Sequence, residues 1–269
     1  MLTETAYAKI NLALHVRRRR EDGYHELETL FAFVDDGDRL MVSPADQDML
    51  ETFGEFASSI ADPFGNIAAK ALNSLPHGRG WSVRLEKRLP VAAGLGGGSA
   101  DAGAVFRMVE QAHGLPDDWM QRAAKLGADV PACVLSHACI GTGTGTEVQA
   151  VANDLAGTPV LLVNPRALVP TGPVFRAWDR VDRGPMPSGS LRSIALMGRN
   201  DLEAPAIGLC PAIADVLATL QAHEPMAARM SGSGATCFAL FESIPDRDAA
   251  AQALSAAHPD WWQMSGALR

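Results

Sequence analysis

Residues 90–103 read P-V-A-A-G-L-G-G-G-S-A-D-A-G, and no other stretch limits the fold as strongly. Ahead of it Trp81, Val83 and Leu85 alternate with Ser82, Arg84 and Glu86, the period-two pattern of a half-buried strand. Behind it Val105, Met108, Val109 and Ala112 recur at helical spacing until Gly114 and Pro116 stop the helix. A strand therefore feeds a glycine loop that opens a helix. Gly94, Gly96, Gly97 and Gly98 let backbone N–H groups approach a ligand with no Cβ in the way, and Ser99 is the expected N-cap. The open N–H groups of a helix start carry roughly half a positive charge, so such a loop suits phosphate oxygens. The alternative is a plain flexible turn, because glycine clusters are common punctuation.

The loop matches neither of the two commonest phosphate motifs. A P-loop needs Lys and Ser/Thr after its last glycine, where this chain has Ser99 and Ala100. Counted from Gly94, the last glycine of a dinucleotide fingerprint would fall on Ser99. No lysine lies inside the loop, so positive charge has to come from elsewhere.

With 269 residues, 47% of them hydrophobic, the chain can bury a sizeable core, and two lobes with a boundary near Val151 are expected: residues 1–150 and 151–269. A net charge of −8 argues against nucleic acid or an anionic membrane as main partner, since both demand clustered Lys and Arg. Cys133, Cys139, Cys210 and Cys237 form no C-x-x-C pair and read as buried free thiols. The N-terminal residues lack the basic and apolar regions of a signal peptide, and no apolar run reaches transmembrane length, so a cytoplasmic location is expected.

Along the chain, Ala8, Ile10, Leu12, Leu14 and Val16 alternate with Tyr7, Lys9, Asn11 and His15, placing Lys9 and Asn11 on one side of a strand. That side is either the solvated face of an edge strand or a place where a lysine and an asparagine act together. Arg17 to Arg20 read as a solvated loop. Residues 51–65 show no period and are expected to form a mobile flap, followed by a helix capped by Asn66. Asp129, in G-A-D-V-P, is either an N-cap or a reactive carboxylate. Gly141, Gly143 and Gly145 suit two short strands and a bend, and residues 160–163 a buried strand. Residues 170–173 read as a turn and 180–190 as a surface loop, and Asn200 to Glu203 cap a helix. A helix from Pro211, a glycine turn at M-S-G-S-G-A-T-C-F, a last helix and a Trp261-Trp262 strand complete the reading.

The string PVAAGLGGGSADAG resembles the second motif of the galactokinase, homoserine kinase, mevalonate kinase and phosphomevalonate kinase superfamily, which holds ATP phosphates on a glycine loop of this kind. A-K-I-N-L and M-S-G-S-G-A-T are similar to its first and third motifs, and G-A-D-V-P to the segment carrying its catalytic aspartate. D-G-Y-H and the doubled glycines of G-L-G-G-G-S-A-D resemble one branch, whose acceptor alcohol carries a cytidine diphosphate and belongs to the non-mevalonate isoprenoid route. Ala132 and Cys133 stand where many relatives have a phenylalanine, a change that touches no reacting group.

The resemblance implies an α/β, α+β two-lobed GHMP kinase fold, with a ribosomal-protein-S5-like N-terminal lobe, a ferredoxin-like C-terminal lobe, and the acceptor in the cleft between them. It implies Asp129 as base with Lys9 as its electrostatic partner. ATP would lie on Pro90, Gly94, Leu95, Gly96, Gly97, Gly98, Ser99 and Ala100, with Asn66 near the adenine. The acceptor would meet Asn11, Tyr24, His25, Thr171, Phe175, Gly232, Ser233 and Gly234. Phe175 is equally well read as an ordinary core residue. Mg²⁺ would travel with ATP, with Ser99 as the one protein group offered to it. The implied partner is a small-molecule substrate, with no nucleic acid and no membrane, and the chain would be a monomer or weak homodimer. The competing expectations are another small-alcohol kinase of the superfamily, an ATP-dependent decarboxylase, or a non-catalytic relative that would have lost Lys9, Asp129 or the loop.

Overall fold

The structure is a computed structural model that describes residues 1–60 and 66–269. In chain order its elements are β1 (Leu2–Arg19), β2 (His25–Ala45), β3 (Met49–Phe53), α1 (Ile67–Ser74), β4 (Gly80–Glu86), α2 (Gly97–His113), α3 (Trp119–Leu126), α4 (Val130–Leu135), β5 (Cys139–Gly143), β6 (Glu147–Ala150), β7 (Pro159–Asn164), α5 (Thr171–Ala177), α6 (Leu191–Met197), α7 (Glu203–Leu209), α8 (Ala212–Gln221), β8 (Ala227–Met230), β9 (Cys237–Leu240), α9 (Ile244–Ala257) and β10 (Trp262–Ala267).

The chain divides into two compact units. The first holds Met1–Lys9, Asp36–Val91 and Gly96–Ser136; the second holds Ile10–Asp35, Ala92–Leu95 and His137–Arg269. Both long strands, β1 and β2, contribute residues to each.

In the first unit β4 runs antiparallel to the C-terminal half of β2 and parallel to β3. Helix α2 packs against α1 and α4, burying Ala100, Ala104, Val105, Met108 and Val109. Small residues allow this close packing: a Cβ on Gly103 would lie 2.5 Å from the Cys133 carbonyl oxygen of α4.

In the second unit the N-terminal half of β2 pairs with β5, and β5 with β6. A separate antiparallel sheet runs β10-β7-β9-β8. Its central strand β7 is buried at every position, and each of Val160, Leu161, Leu162 and Val163 contributes about 1.5–3 kcal/mol by leaving water. Helix α8 covers this sheet with Ile213, Val216, Leu217 and Leu220.

Four expectations need correction. Strand β1 has no solvated face around Lys9: residues 8–16 are buried throughout, with Lys9 and Asn11 each 3% exposed and His15 0%. Arg17, Arg18 and Arg19 continue β1 rather than forming a loop; Arg17 is held by Glu28 and Asp182. Glu51, Thr52 and Phe53 pair with β4 as strand β3, and a 3-10 turn follows at Ala57–Ser59, so the expected flap is ordered there; residues 61–65 lie outside the described residues. Residues 171–173 form the first turn of α5 instead of a free turn, with Pro170 as N-cap. The period-two and turn signals were local, whereas pairing with a neighbouring strand is not.

None of the four cysteines is in a disulfide, and Cys133, Cys139 and Cys237 are buried. Among the described residues no helix is long and apolar enough to cross a membrane.

Candidate active site

Helix α2 begins three residues earlier than its serine suggests. Gly96, in the left-handed region at φ 61°, is the N-cap, and Gly97 and Gly98 already have helical geometry. Ser99 is thus the third helical residue, not the cap. Glycines in the first turn leave the helix start bare of side chains. The Ala100 N–H is taken by the Gly96 carbonyl, which leaves the N–H groups of Gly97, Gly98 and Ser99 with no earlier carbonyl inside the helix. Leu95 and Ala100 are buried and anchor the loop from below.

Lys9 and Asp129 come together in this unit, Nζ to Oδ2 at 3.0 Å. Asp129 occupies the N-cap position of α4 yet makes no capping bond; its carboxylate turns to Lys9 instead. A Cβ on Gly96 would lie 2.9 Å from Lys9 Cε and 3.6 Å from Asp129 Oδ2, so the ion pair sits directly against the helix start. Asn66 caps α1, its Oδ1 accepting from the Ala68 N–H at 2.9 Å.

Beneath the loop lies a charged cluster that sequence reading missed. Lys87, 3% exposed, donates to Asp101 Oδ2 at 2.6 Å and to Asp38 Oδ2. Asp38 Oδ1 also accepts the N–H groups of Arg88 and Leu89. Burial, opposed by Lys87 and reinforced by Asp38, pushes the Asp101 carboxyl up to about 8. Nothing in the three separate segments around Asp38, Lys87 and Asp101 marks these residues as neighbours.

In the second unit the third motif grips the start of the same loop. Ser231 Oγ donates to the Gly94 carbonyl at 2.8 Å and accepts from the Asn11 N–H at 3.1 Å. The Thr236 N–H donates to the Ala93 carbonyl. A Cβ on Gly94 would lie 2.2 Å from the Ser231 carbonyl oxygen, so only glycine fits. Asn200 Nδ2 donates to both the Met230 and Gly232 carbonyls at 2.8 Å, so N-D-L-E shapes this turn; the expected side-chain cap is absent, because the N-cap of α7 is Leu202, whose N–H donates to Asn200 Oδ1. The Asn11 amide donates to Thr29 Oγ1 at 2.7 Å, and Thr29 passes the chain of bonds to the Ala13 carbonyl.

His25 and Phe175 meet with ring centroids 4.9 Å apart, and Trp178, absent from the sequence expectation, closes on His25 edge-on at 5.7 Å. Burial, with help from Arg19, lowers the His25 pKa. Tyr24 stays 66% exposed. Thr171 and Ser233 share a hydroxyl hydrogen bond of 2.9 Å.

The family descriptions "GHMP kinases N terminal domain" and "GHMP kinases C terminal" match residues 64–137 and 189–260. A protein of Novosphingobium aromaticivorans named 4-diphosphocytidyl-2-C-methyl-D-erythritol kinase is 67% identical over 100% of this chain and 93% of its own length. One of Erythrobacter litoralis with the same name is 61% identical over 100% of both chains. A crystal structure titled 4-(cytidine 5'-diphospho)-2C-methyl-D-erythritol kinase superposes with a TM-score of 0.82 at 35% identity, covering 99% of each chain. A glycine-rich helix start with open N–H groups, a Lys–Asp pair against it and full-length similarity of this degree lead to one conclusion: the chain belongs to the GHMP kinase family, and is an ATP-dependent kinase.

Proposed function

We propose that the chain transfers the γ-phosphoryl group of ATP to the 2-hydroxyl of 4-diphosphocytidyl-2-C-methyl-D-erythritol, giving the 2-phosphate and ADP in the non-mevalonate isoprenoid route. The observation that carries this reading is the Lys9–Asp129 pair packed against Gly96 at the open start of α2, in a chain 67% identical over its whole length to a kinase of that name.

The three open N–H groups of α2 hold phosphate oxygens, and the bare glycines admit them. Phosphoryl transfer to an alcohol needs the hydroxyl aligned, its proton accepted and the phosphoryl charge balanced. Asp129 accepts the proton, and Lys9 stands beside it to balance charge and polarise the hydroxyl. The acceptor is a tertiary alcohol, a crowded nucleophile, so positioning carries much of the acceleration. The His25 and Phe175 rings receive the cytosine, with Tyr24 beside them, while Thr171, Gly232, Ser233, Gly234 and Asn11 line the rest of the acceptor site.

Among the described residues no cluster of three or more His, Cys, Asp or Glu is placed to hold a metal ion. Mg²⁺ would arrive on the nucleotide, since it keeps several waters and takes few protein ligands. Ser99 would offer its hydroxyl, and the ion would supply charge neutralisation on the phosphates. The functional division falls near residue 150, with ATP on the first part and the two family matches on either side of it. The protein works in the cytoplasm as a monomer or weak homodimer.

The test is ADP release coupled to mass spectrometry of the product, with 4-diphosphocytidyl-methylerythritol beside mevalonate and homoserine. One phosphate added to the cytidylyl substrate alone is the expected result. Turnover confined to either of the others would refute the acceptor assignment.

A further inference from the structure

The loop carries no lysine, yet the structure puts an ammonium group beneath it. A Cβ on Gly97, the first residue of α2, would lie 3.6 Å from Lys87 Nζ and 3.8 Å from Asp38 Oδ2. Lys87 thereby joins the end of β4, strand β2 and the second turn of α2 through Asp38 and Asp101. All three side chains are shut off from water.

Asp38 accepts from Lys87 and from two backbone N–H groups, the environment of an ionised carboxylate. Asp101 accepts from Lys87 through Oδ2, while its Oδ1 is buried with no hydrogen-bond partner. A carboxylate in that position is costly in its ionised form and far cheaper when neutral. Two ionised carboxylates would leave the cluster with a net negative charge just under a surface meant for phosphates. One proton on Asp101 brings the cluster to zero. Other nearby charges are engaged elsewhere: Arg88 pairs with Asp36, and Arg107 of α2 faces Glu4 and the carbonyls of Thr5 and Cys133. The charges acting on Asp101 are Lys87 at the end of β4 and Asp38 of β2. Of the helices packed on α2, α1 carries Lys70, and α4 the thiol of Cys133 with Asp129, paired to Lys9, at its N-cap.

Building on the assignment of the loop to ATP, we propose that Lys87, Asp38 and Asp101 are positioning residues that fix the first turns of α2 and couple nucleotide binding to a proton held on Asp101. Phosphates on the loop favour the neutral cluster, so the nucleotide binds the chain whose Asp101 is protonated and takes up a proton where it is not. No bond of the substrate is made or broken by the triad.

The experiment is calorimetric titration of the full chain with ADP from pH 7 to pH 9.5, in two buffers of different ionisation heat, for the wild type and Asp101→Asn. The phosphate of the nucleotide has already lost its last proton in this window. The wild type should show proton uptake, with affinity falling by up to about tenfold per pH unit above the Asp101 midpoint, while Asp101→Asn, which mimics the neutral acid, changes by no more than about twofold. Carbon-13 NMR of the aspartate-labelled wild type gives a readout independent of the variant's folding: one carboxyl should titrate far above the others and move higher with ADP. Equal pH slopes in both chains, or a label set that titrates only in the ordinary range, would overturn the coupling. Absence of ADP binding by the wild type at every pH would instead remove the loop's assignment to ATP, and the coupling with it.

Discussion

Lys9 Nζ lies 3.0 Å from Asp129 Oδ2, which makes one ion pair out of a strand residue near the N-terminus and a residue that opens α4. Asp129 has the sequence position of a helix cap and forgoes the capping bond. If Asp129 is the base, Asp129→Asn should lower kcat by about 10²–10⁴ with ADP affinity largely retained, and Lys9→Met should fall in the same range. Steady-state kinetics beside calorimetry separates the two effects, and near-normal kcat in Asp129→Asn would dismiss it as the base.

Gly96 and Gly78 form a matched pair of substitutions. Gly96 has φ 61° and no room for a Cβ beside Lys9, whereas Gly78 has nothing within 4 Å and no left-handed backbone. Gly96→Ala should cost at least about 1–2 kcal/mol of stability and most of the activity, while Gly78→Ala should be neutral or slightly stabilising. Thermal melts and turnover measure both.

His15 is fully buried, accepts the Arg199 N–H at Nε2 and faces the Gly184 carbonyl with Nδ1. Burial, then the Arg199 charge, lowers its pKa. The folded chain therefore refuses a proton that the unfolded chain takes below about pH 6.5, and stability must fall as pH drops through that region, by up to roughly 1.4 kcal/mol per unit. Urea melts between pH 5 and 7.5 should show this slope in the wild type and a shallower one in His15→Asn.

Asn200 holds two carbonyls flanking Ser231. Asn200→Ala leaves both without their donor and should destabilise the chain by about 1–3 kcal/mol or more, as should Ser231→Ala on a smaller scale. Because Ser231 grips Gly94, its loss should also raise KM for ATP more than KM for the acceptor. Equal rises would separate the turn from the loop.

Phe175 is only partly buried against the core and meets His25 at 4.9 Å. Stacking on a base is worth about 1–3 kcal/mol, so Phe175→Ala should raise KM for the cytidylyl acceptor at least about tenfold. KM for ATP should stay unchanged. An unchanged acceptor KM would return Phe175 to the core.

The sequence by itself determined what short-range chemistry can specify. The strand, glycine loop and helix around residues 80–113 were legible because period, punctuation and backbone freedom are local properties. Strands β5, β6 and β7 and helices α8 and α9 stand close to where the sequence placed them, β10 meets the expected Trp261-Trp262 strand only at Trp262, and the motif order led to the family. Lys9 and Asp129 were named from motifs, since spacing along the chain left each with a bland alternative.

Tertiary structure decided everything that depends on burial and distant partners. The alternation in β1 left the Lys9–Asn11 side either solvated or functional, and packing buried both faces and with them Lys9, Asn11 and His15. The Asp38–Lys87–Asp101 cluster joins residues whose separate sequence contexts carry no mark of one another. Residues 49–53 became a strand because β4 offered an edge, not because of their own pattern. Local sequence fixes backbone preference over a few residues, whereas dielectric environment, ion pairing and strand partners arise only when remote segments close around the same point.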